Sequence, residues 1–172
     1  MLLAVGGHYG GLKIFNFATG KIVQDLPGHL TDITRLKFSP DGLYLFSSSS
    51  DGILKIWNTK NWNNVSLLST SDNEWLIYTP DGYFDASPHG GELVAMVKGM
   101  EAFGVDQFAV RNNRPDLILE RMGLGTPELI THYNLLYQKR LKKLGLTEAD
   151  LSAELHVPEA QITGTKQDGK FI

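Results

Sequence analysis

Apolar and polar residues alternate over short stretches throughout residues 1–110. Period-two alternation, interrupted by glycine, proline and aspartate, is typical of β-strands with one buried face. The clearest unit begins at residues 33–38, where Ile33, Leu36 and Phe38 are placed to face a core. Further strands are predicted at residues 44–50, 54–57 and 65–68, which gives this unit four antiparallel strands.

Turn and strand signals recur along the chain at a nearly constant spacing. Residues 12–16 return in similar form as residues 54–58, about 40 residues later. Two tight turns have the same spacing, and glycine supplies a positive φ in each. Their residues are Pro40, Asp41 and Gly42 in one turn and Pro80, Asp81 and Gly82 in the other. A period of roughly 40–45 residues with four strands per unit is typical of β-propeller blades.

The predicted fold is mainly β with a helical appendage. In the first repeat, residues 2–6, 12–15 and 21–26 match the second, third and outer strands of a blade, and the inner strand is missing. The third repeat is predicted to begin a blade of its own, with strands at residues 75–78, 83–86, 93–97 and 107–110. We therefore expect a partial β-propeller of about three four-stranded antiparallel blades over residues 1–110.

Residues 111–172 are predicted to be a helical connecting segment that ends in an extended stretch over residues 157–172. Thr126 followed by Pro127 is typical of a helix N-terminus, and leucine and tyrosine recur at helical spacing up to Leu144. A shorter helix is predicted from Pro115 to Met122. Because isolated helices of this length are marginal in water, the longer one should cover an apolar blade surface in cis, or chains should associate to cover that surface.

Charge and cysteine content narrow the classes of function. The formal net charge is −3, which disfavours nucleic-acid and anionic-membrane surfaces. The chain has no cysteine, which excludes disulfides, thiolate metal ligands and a cysteine nucleophile. No apolar run approaches the roughly 20 residues of a membrane span. The sequence favours protein partners without a cofactor, a reducing cytoplasmic compartment and, through open blade faces, self-association.

A candidate polar network comprises His29, Ser49, Asp51 and Trp57. This spacing resembles the WD-repeat family of propellers, in which a buried histidine, serine, aspartate and tryptophan form a hydrogen-bonded tetrad. The chain departs from the pattern in having Asn58 after the tryptophan where aspartate is usual. Histidine, serine and aspartate also make up hydrolytic triads, but the resemblance implies a structural network and no catalytic residue.

A second cluster leaves an enzymatic alternative open. Asp81, Asp85, His89 and Glu92 have the side chains that bind hard metals or transfer protons. Asp81 belongs to a repeated turn, which accounts for it without a ligand. Asp85 lies within a strand pattern that disfavours aspartate. The alternative function is therefore a small metal-dependent or acid/base enzyme centred on Asp81, Asp85 and His89.

A wider resemblance rests on residues 75–88, residues 106–108 and the Arg114-Pro115-Asp116 motif. Together they resemble the junction in bacterial WD-repeat proteins that carry a caspase-like peptidase domain downstream. The resemblance implies that this chain holds the last propeller blades and the connecting segment, without the enzyme. The function expected is a non-catalytic protein–protein interaction scaffold or sensor segment of a larger regulator.

Overall fold

A computed structural model describes residues 1–98 and 100–151. The predicted extended stretch at residues 157–172 lies outside them. The strands are β1 (Leu2–Gly6), β2 (Leu12–Asn16), β3 (Ile22–Asp25), β4 (Ile33–Phe38), β5 (Tyr44–Ser49), β6 (Leu54–Asn58), β7 (Asn64–Ser69), β8 (Trp75–Tyr78), β9 (Phe84–Ala86), β10 (Ala95–Lys98) and β11 (Glu101–Gly104). The helices are α1 (Ala109–Asn112), α2 (Pro115–Met122) and α3 (Pro127–Lys143), with single 3₁₀ turns between several elements.

The first blade is a three-stranded antiparallel sheet in the order β1-β2-β3. These are the second, third and outer strands that the sequence predicts. Ala4 lies opposite Ile14 and Gly6 opposite Leu12, so these four residues share one face. Leu12 and Ile14 are fully buried because that face packs against the next sheet.

The second sheet has six antiparallel strands in the order β4-β5-β6-β7-β8-β9. Strands β4 to β7 form the predicted complete blade. Its inner face meets the first blade through a core that includes Leu45 and Trp57. The chain is therefore a partial β-propeller, mainly β with a helical appendage.

The third repeat does not form a separate four-stranded blade, and this part of the prediction is wrong. Strands β8 and β9 extend the second sheet at its outer edge, where Leu67 lies opposite Ile77. The connection between β7 and β8 is a short turn closed by a hydrogen bond of 3.0 Å from Thr70 N to the Glu74 carbonyl. A tight connection of this kind makes consecutive strands antiparallel neighbours in one sheet.

The remainder of the third repeat also differs from the prediction. Strands β10 and β11 form a hairpin of their own. Residues 107–110, predicted to be a strand, lie in a 3₁₀ turn and in α1. Val105 and Phe108 are both buried, and their spacing of three residues fits one helical turn better than strand alternation. The predicted domain boundary after residue 110 falls within α1, and the division into two domains stays a prediction.

Helix α2 covers the outward face of the second sheet. Ile118 and Met122 are buried against Val65, with Tyr44, Ile56 and Ile77 around them. Helix α3 packs on α2. An apolar blade surface is thus covered in cis, as expected, but by the short helix rather than the long one. None of the helices in the described ranges is long and apolar enough to cross a membrane.

The predicted start of α3 and the predicted end of α2 at Met122 are confirmed. The Thr126 hydroxyl accepts a hydrogen bond of 3.3 Å from Leu129 N at the start of α3. Gly123 ends α2 in the left-handed conformation, with φ of 67°.

Candidate functional site

A buried hydrogen-bonded network joins the second blade to the loop that precedes it. The Trp57 indole Nε1 donates to Ser47 Oγ at 2.8 Å. The same Ser47 hydroxyl shares a hydrogen bond of 2.7 Å with His29 Nε2. All three residues are buried. Strands β5 and β6 supply the serine and the tryptophan, and the loop from the first blade supplies the histidine.

The serine at the centre of this network is not the one that the sequence suggested. Ser49 instead donates a short hydrogen bond to Asp51, and Asp51 is exposed in its turn. Ser47 and Ser49 are two apart on β5 and face the same side of the sheet, so sequence spacing could not distinguish them. The pairing of β5 with β6 does distinguish them. Leu45 lies opposite Trp57, and Ser47 is the next residue of β5 on the same face, so it is nearer to Trp57 than Ser49 is.

The electrostatics of the network argue against a hydrolytic triad. Burial is the main cause that lowers the pKa of His29, and the neighbouring Lys55 lowers it further. His29 Nδ1 is buried and has no hydrogen-bond partner among residues 1–98 and 100–151, whereas a triad needs a carboxylate there. Lys55 is itself buried, donates to Ser66 Oγ at 2.6 Å and has a pKa lowered by burial. The arrangement suits a structural hydrogen-bonded network.

The two repeated turns have the same backbone form but different surroundings. Gly42 and Gly82 have φ of 72° and 87°, which favours glycine at both positions. Asp41 organises its own turn, accepting from Leu43 N at 3.0 Å. Asp81 instead forms an ion pair with Arg121 of α2. Pro40 and Pro80, which precede these aspartates, are exposed.

The residues of the enzymatic alternative are not brought together. Asp81 pairs with Arg121, and His89 Nδ1 lies 3.2 Å from Glu92 Oε1 at the surface. Asp85 is half-buried; burial raises its pKa, while its oxygen accepts from Ala86 N at 2.9 Å. Within the described part of the chain, no group of three histidine or carboxylate side chains could hold a metal ion. Nothing in the structure supports this alternative.

Sequence reasoning missed a buried ion pair in the connecting segment. Arg114 donates to Asp116 through Nε at 2.9 Å and through Nη2 at 2.8 Å. Asn134 of α3 also donates to Asp116, at 3.0 Å, and the Arg114 guanidinium stacks 3.9 Å above the Tyr137 ring centre. The Arg-Pro-Asp motif is the sequence signal for this pair. Charged residues on either side of a proline that starts a helix can form a tertiary contact as well as belong to a linker.

The same segment is anchored to the last strand of the second sheet. Arg114 N donates to the Phe84 carbonyl at 3.0 Å, and Asn112 Nδ2 donates to the Gly82 carbonyl at 3.1 Å. Arg140 of α3 reaches the Asn113 carbonyl at 2.6 Å. These contacts hold the helices in a defined position on the sheet.

The outward face of the first blade is apolar and open. Leu3 and Val5 are each 46% exposed and Ile22 is 54% exposed. Lys13 and Asp25 form an exposed ion pair of 3.0 Å on the same face. On the opposite face of this sheet, Leu12 and Ile14 are fully buried against the second sheet.

Comparison with known proteins agrees with this architecture. A family model described as WD domain, G-beta repeat, matches residues 20–58. The chain contains a WD40 repeat. The matched segment runs from β3 to β6 and so crosses from the first sheet to the second.

Curated relatives cover part of the chain. WD repeat and SOCS box-containing protein 1 of Danio rerio is 36% identical over 99 residues, which are 55% of this chain and 23% of that protein. The U3 small nucleolar RNA-associated protein 21 homolog of Schizosaccharomyces pombe is 33% identical over 89 residues, or 51% of this chain and 10% of that one. Apoptotic protease-activating factor 1 of Danio rerio is 38% identical over 68 residues, or 40% and 5%.

The chain thus spans less than a quarter of the length of these relatives, and all three come from eukaryotes. Among solved structures, the β-propeller domain of Myceliophteria thermophila Cps50 (Swd1) matches with a TM-score of 0.35 and 17% identity. That match covers 70% of this chain and 41% of the other.

Proposed function

We propose that this chain is a non-catalytic protein–protein interaction segment and that the open face of its first blade is the binding surface. The observation that carries the proposal is the contrast between the two ends of the sheet stack. The outward face of the second sheet is covered by Ile118 and Met122 of α2, whereas Leu3, Val5 and Ile22 on the outward face of the first blade stay about half exposed.

The chemistry of that face defines its partner. Because Leu3, Val5 and Ile22 are already about half buried, covering each of them completely would stabilise a complex by about 0.7–1.5 kcal/mol. A partner sheet with a flat apolar face can cover all three residues at once. The sheet β4–β9 of this chain covers the opposite face of the first blade in the same way. Another blade, from a second copy or from a larger protein, therefore fits best.

Self-association of the purified chain tests this surface. Sedimentation velocity at micromolar concentration should show association, and Leu3→Glu should abolish it because a buried unpaired carboxylate is strongly unfavourable. Leu135→Glu is the matched control, since Leu135 is 62% exposed on α3, far along the chain from this face. A strictly monomeric wild type, or equal loss of association in both variants, would contradict the proposal.

The proposal extends to the larger assembly. We infer that the segment belongs to a cytoplasmic regulator linked to a caspase-like peptidase, because two separate parts of the junction motif contact each other. Arg114, the first residue of the Arg-Pro-Asp motif, donates a backbone hydrogen bond to the Phe84 carbonyl. Phe84 lies in residues 75–88, which are another part of the junction motif. One relative is by name a protease-activating factor, which is compatible with such a role.

The coding sequence on either side of this chain tests that extension. A downstream frame that encodes a caspase-like domain with its histidine and cysteine would support it. A flanking sequence that encodes only further WD40 repeats would contradict the peptidase link, and a repeat encoded directly upstream would supply the covering blade within the same polypeptide.

A further inference from the structure

Two side chains on the outward face of the second sheet bind the end of helix α2. Tyr44 of β5 lies directly opposite Asn58 of β6, so both side chains are on the same face. The Tyr44 hydroxyl donates to the Met122 carbonyl at 2.8 Å, and Asn58 Nδ2 donates to the same oxygen at 3.0 Å. One carbonyl oxygen therefore accepts two hydrogen bonds from the sheet, one for each of its lone pairs.

The Met122 carbonyl depends on these two donors. Met122 is the last residue of α2, and the carbonyls of the last helical turn have no partner within the helix. The Gly123 amide binds the carbonyls of Glu120 and Leu119 instead. Met122 is fully buried, so water does not reach its carbonyl. The negative end of the helix dipole also lies here, which favours donors over acceptors.

The first blade offers an internal comparison. Asn16 of β2 corresponds to Asn58 of β6 in the repeat, and Leu2 lies opposite it where Tyr44 lies in the second blade. Leu2 and Asn16 share the face of the first blade that packs against the second sheet, because they alternate with the same residues as Ala4 and Ile14 do. The same face of the repeat unit is thus covered once by a sheet and once by a helix.

The two asparagines share one contact and differ in the other. Their amide oxygens both bind the following turn: Asn16 Oδ1 accepts from Ala18 N at 3.0 Å, and Asn58 Oδ1 accepts from Lys60 N at 2.9 Å. Asn58 is buried and its Nδ2 binds α2. Asn16 is only partly buried, and its Nδ2 has no hydrogen-bond partner in residues 1–98 and 100–151. The amide nitrogen is therefore used where a helix covers the face and not where a sheet does.

A blade could not replace α2 on this face without a loss. Sheets pack face to face about 10 Å apart with side chains between them, and their backbone carbonyls bind neighbouring strands of the same sheet. A blade packed over Asn58 would bury its Nδ2 without a backbone acceptor. A buried donor without a partner is unfavourable.

We propose that Asn58 and Tyr44 form a recognition site for the carbonyl end of a helix, and that this site makes the outward face of the second sheet specific for α2 rather than for another blade. The apolar contact through Ile118 and Met122 is one that a blade could match. The two hydrogen bonds to the helix end provide the discrimination. The site is on a different sheet from the open face of the first blade and does not depend on binding there.

Asn58→Asp tests the site, because it replaces the donor with an acceptor of nearly the same shape. Near pH 7 the carboxylate repels the Met122 carbonyl, so hydrogen exchange of the α2 amides, followed by NMR, should become at least about tenfold faster than in the wild type. The amides of β2 should change less. Asn16→Asp is the matched control: the new oxygen still accepts from Ala18 N, so exchange in α2 should match the wild type. Equal acceleration in α2 and β2, or the same effect of both variants, would overturn the proposal.

The pH dependence separates the lost hydrogen bond from a general loss of stability. Burial and the adjacent carbonyl should raise the pKa of the introduced carboxyl above its unfolded value of about 3.9. Once protonated, this carboxyl donates to the Met122 carbonyl as the amide does. Exchange in α2, relative to the wild type at the same pH, should therefore recover as pH falls to about 4. An acceleration that is the same at both pH values would contradict the proposal.

Tyr44→Phe removes the other donor without adding a charge. Exchange in α2 should become about fivefold faster than in the wild type, by the same factor at both pH values. If Asn58→Asp does not fold near pH 7, Tyr44→Phe decides the outcome, and unchanged exchange in α2 refutes the site.

Discussion

Replacing Ser47 with alanine is the sharpest test of the buried network. The Ser47 hydroxyl has no solvent exposure and contacts two other buried polar groups. It accepts from Trp57 Nε1 at 2.8 Å and shares a hydrogen bond of 2.7 Å with His29 Nε2. Removing one oxygen atom therefore leaves two buried nitrogen atoms without their partner.

The expected loss follows from counting those atoms. Each buried polar group left without a partner destabilises a protein by about 1–3 kcal/mol. The two groups share one oxygen, so their contributions are coupled, and we expect Ser47→Ala to lower the free energy of unfolding by about 2–4 kcal/mol. Alanine fills nearly the same volume, so the cavity contribution is small. Such a loss is a large fraction of the roughly 5–15 kcal/mol that stabilises a typical domain.

Ser49→Ala is the matched control on the same face of β5. The Ser49 hydroxyl binds Asp51, and because Asp51 is exposed, water can replace the lost hydrogen bond. We expect a loss below about 1 kcal/mol for Ser49→Ala. Urea denaturation followed by tryptophan fluorescence measures both losses, and an unchanged m-value shows that only stability has changed. A larger loss for Ser49→Ala would show that the serine predicted from the sequence is the structural one after all.

Two further predictions concern the connecting segment. Met122→Ala should destabilise the chain by about 2–5 kcal/mol in the same urea assay, because Met122 is fully buried between α2 and the second sheet; the exposed Leu124→Ala is the control and should have little effect. Asp116→Asn should cost on the order of 3 kcal/mol near pH 7, and the cost should become smaller as pH falls below about 4. Burial acts to raise the pKa of Asp116, but hydrogen bonds from Arg114 and Asn134 outweigh it and hold the pKa below its ordinary value. The stabilisation is therefore present above the unfolded pKa of about 3.9 and is lost as pH falls through the folded pKa, so an unchanged difference between pH 7 and pH 3 would refute the role of this ion pair.

The sequence predicted the elements whose signals are local. Strands β4 to β7 follow from alternation bounded by tight turns, and the start of α3 follows from Thr126 and Pro127. The absence of an inner strand from the first blade also follows from the sequence, because the strands of this blade were predicted by matching them to those of the second repeat. In each case the relevant residues are neighbours in the chain, and the physical cause acts over a few residues.

The errors arose where turn geometry, strand register or contacts between distant residues decide the structure. Strands β8 and β9 have the sequence signals of a new blade, but the short turn after Ser69 directs them onto the edge of the second sheet. Which serine binds Trp57 depends on register, which spacing along one strand cannot give. The Arg114 and Asp116 pair was visible only as a motif, because its partners Asn134 and Tyr137 lie on another helix.

The position of α2 has a consequence for assembly. In a propeller, each blade packs a neighbour on both faces, and repeat structures need polar or covered ends to stop the stacking. Here Ile118 and Met122 occupy the outward face of the second sheet, so another blade cannot pack there without displacing the helix. Arg114 and its hydrogen-bonded partners hold the helix in place.

If the open face of the first blade mediates self-association, each chain then has one such face. A single shared patch gives a closed two-fold dimer rather than a growing filament. The Lys13 and Asp25 pair suits such an arrangement, because a two-fold axis can bring the lysine of each chain near the aspartate of the other.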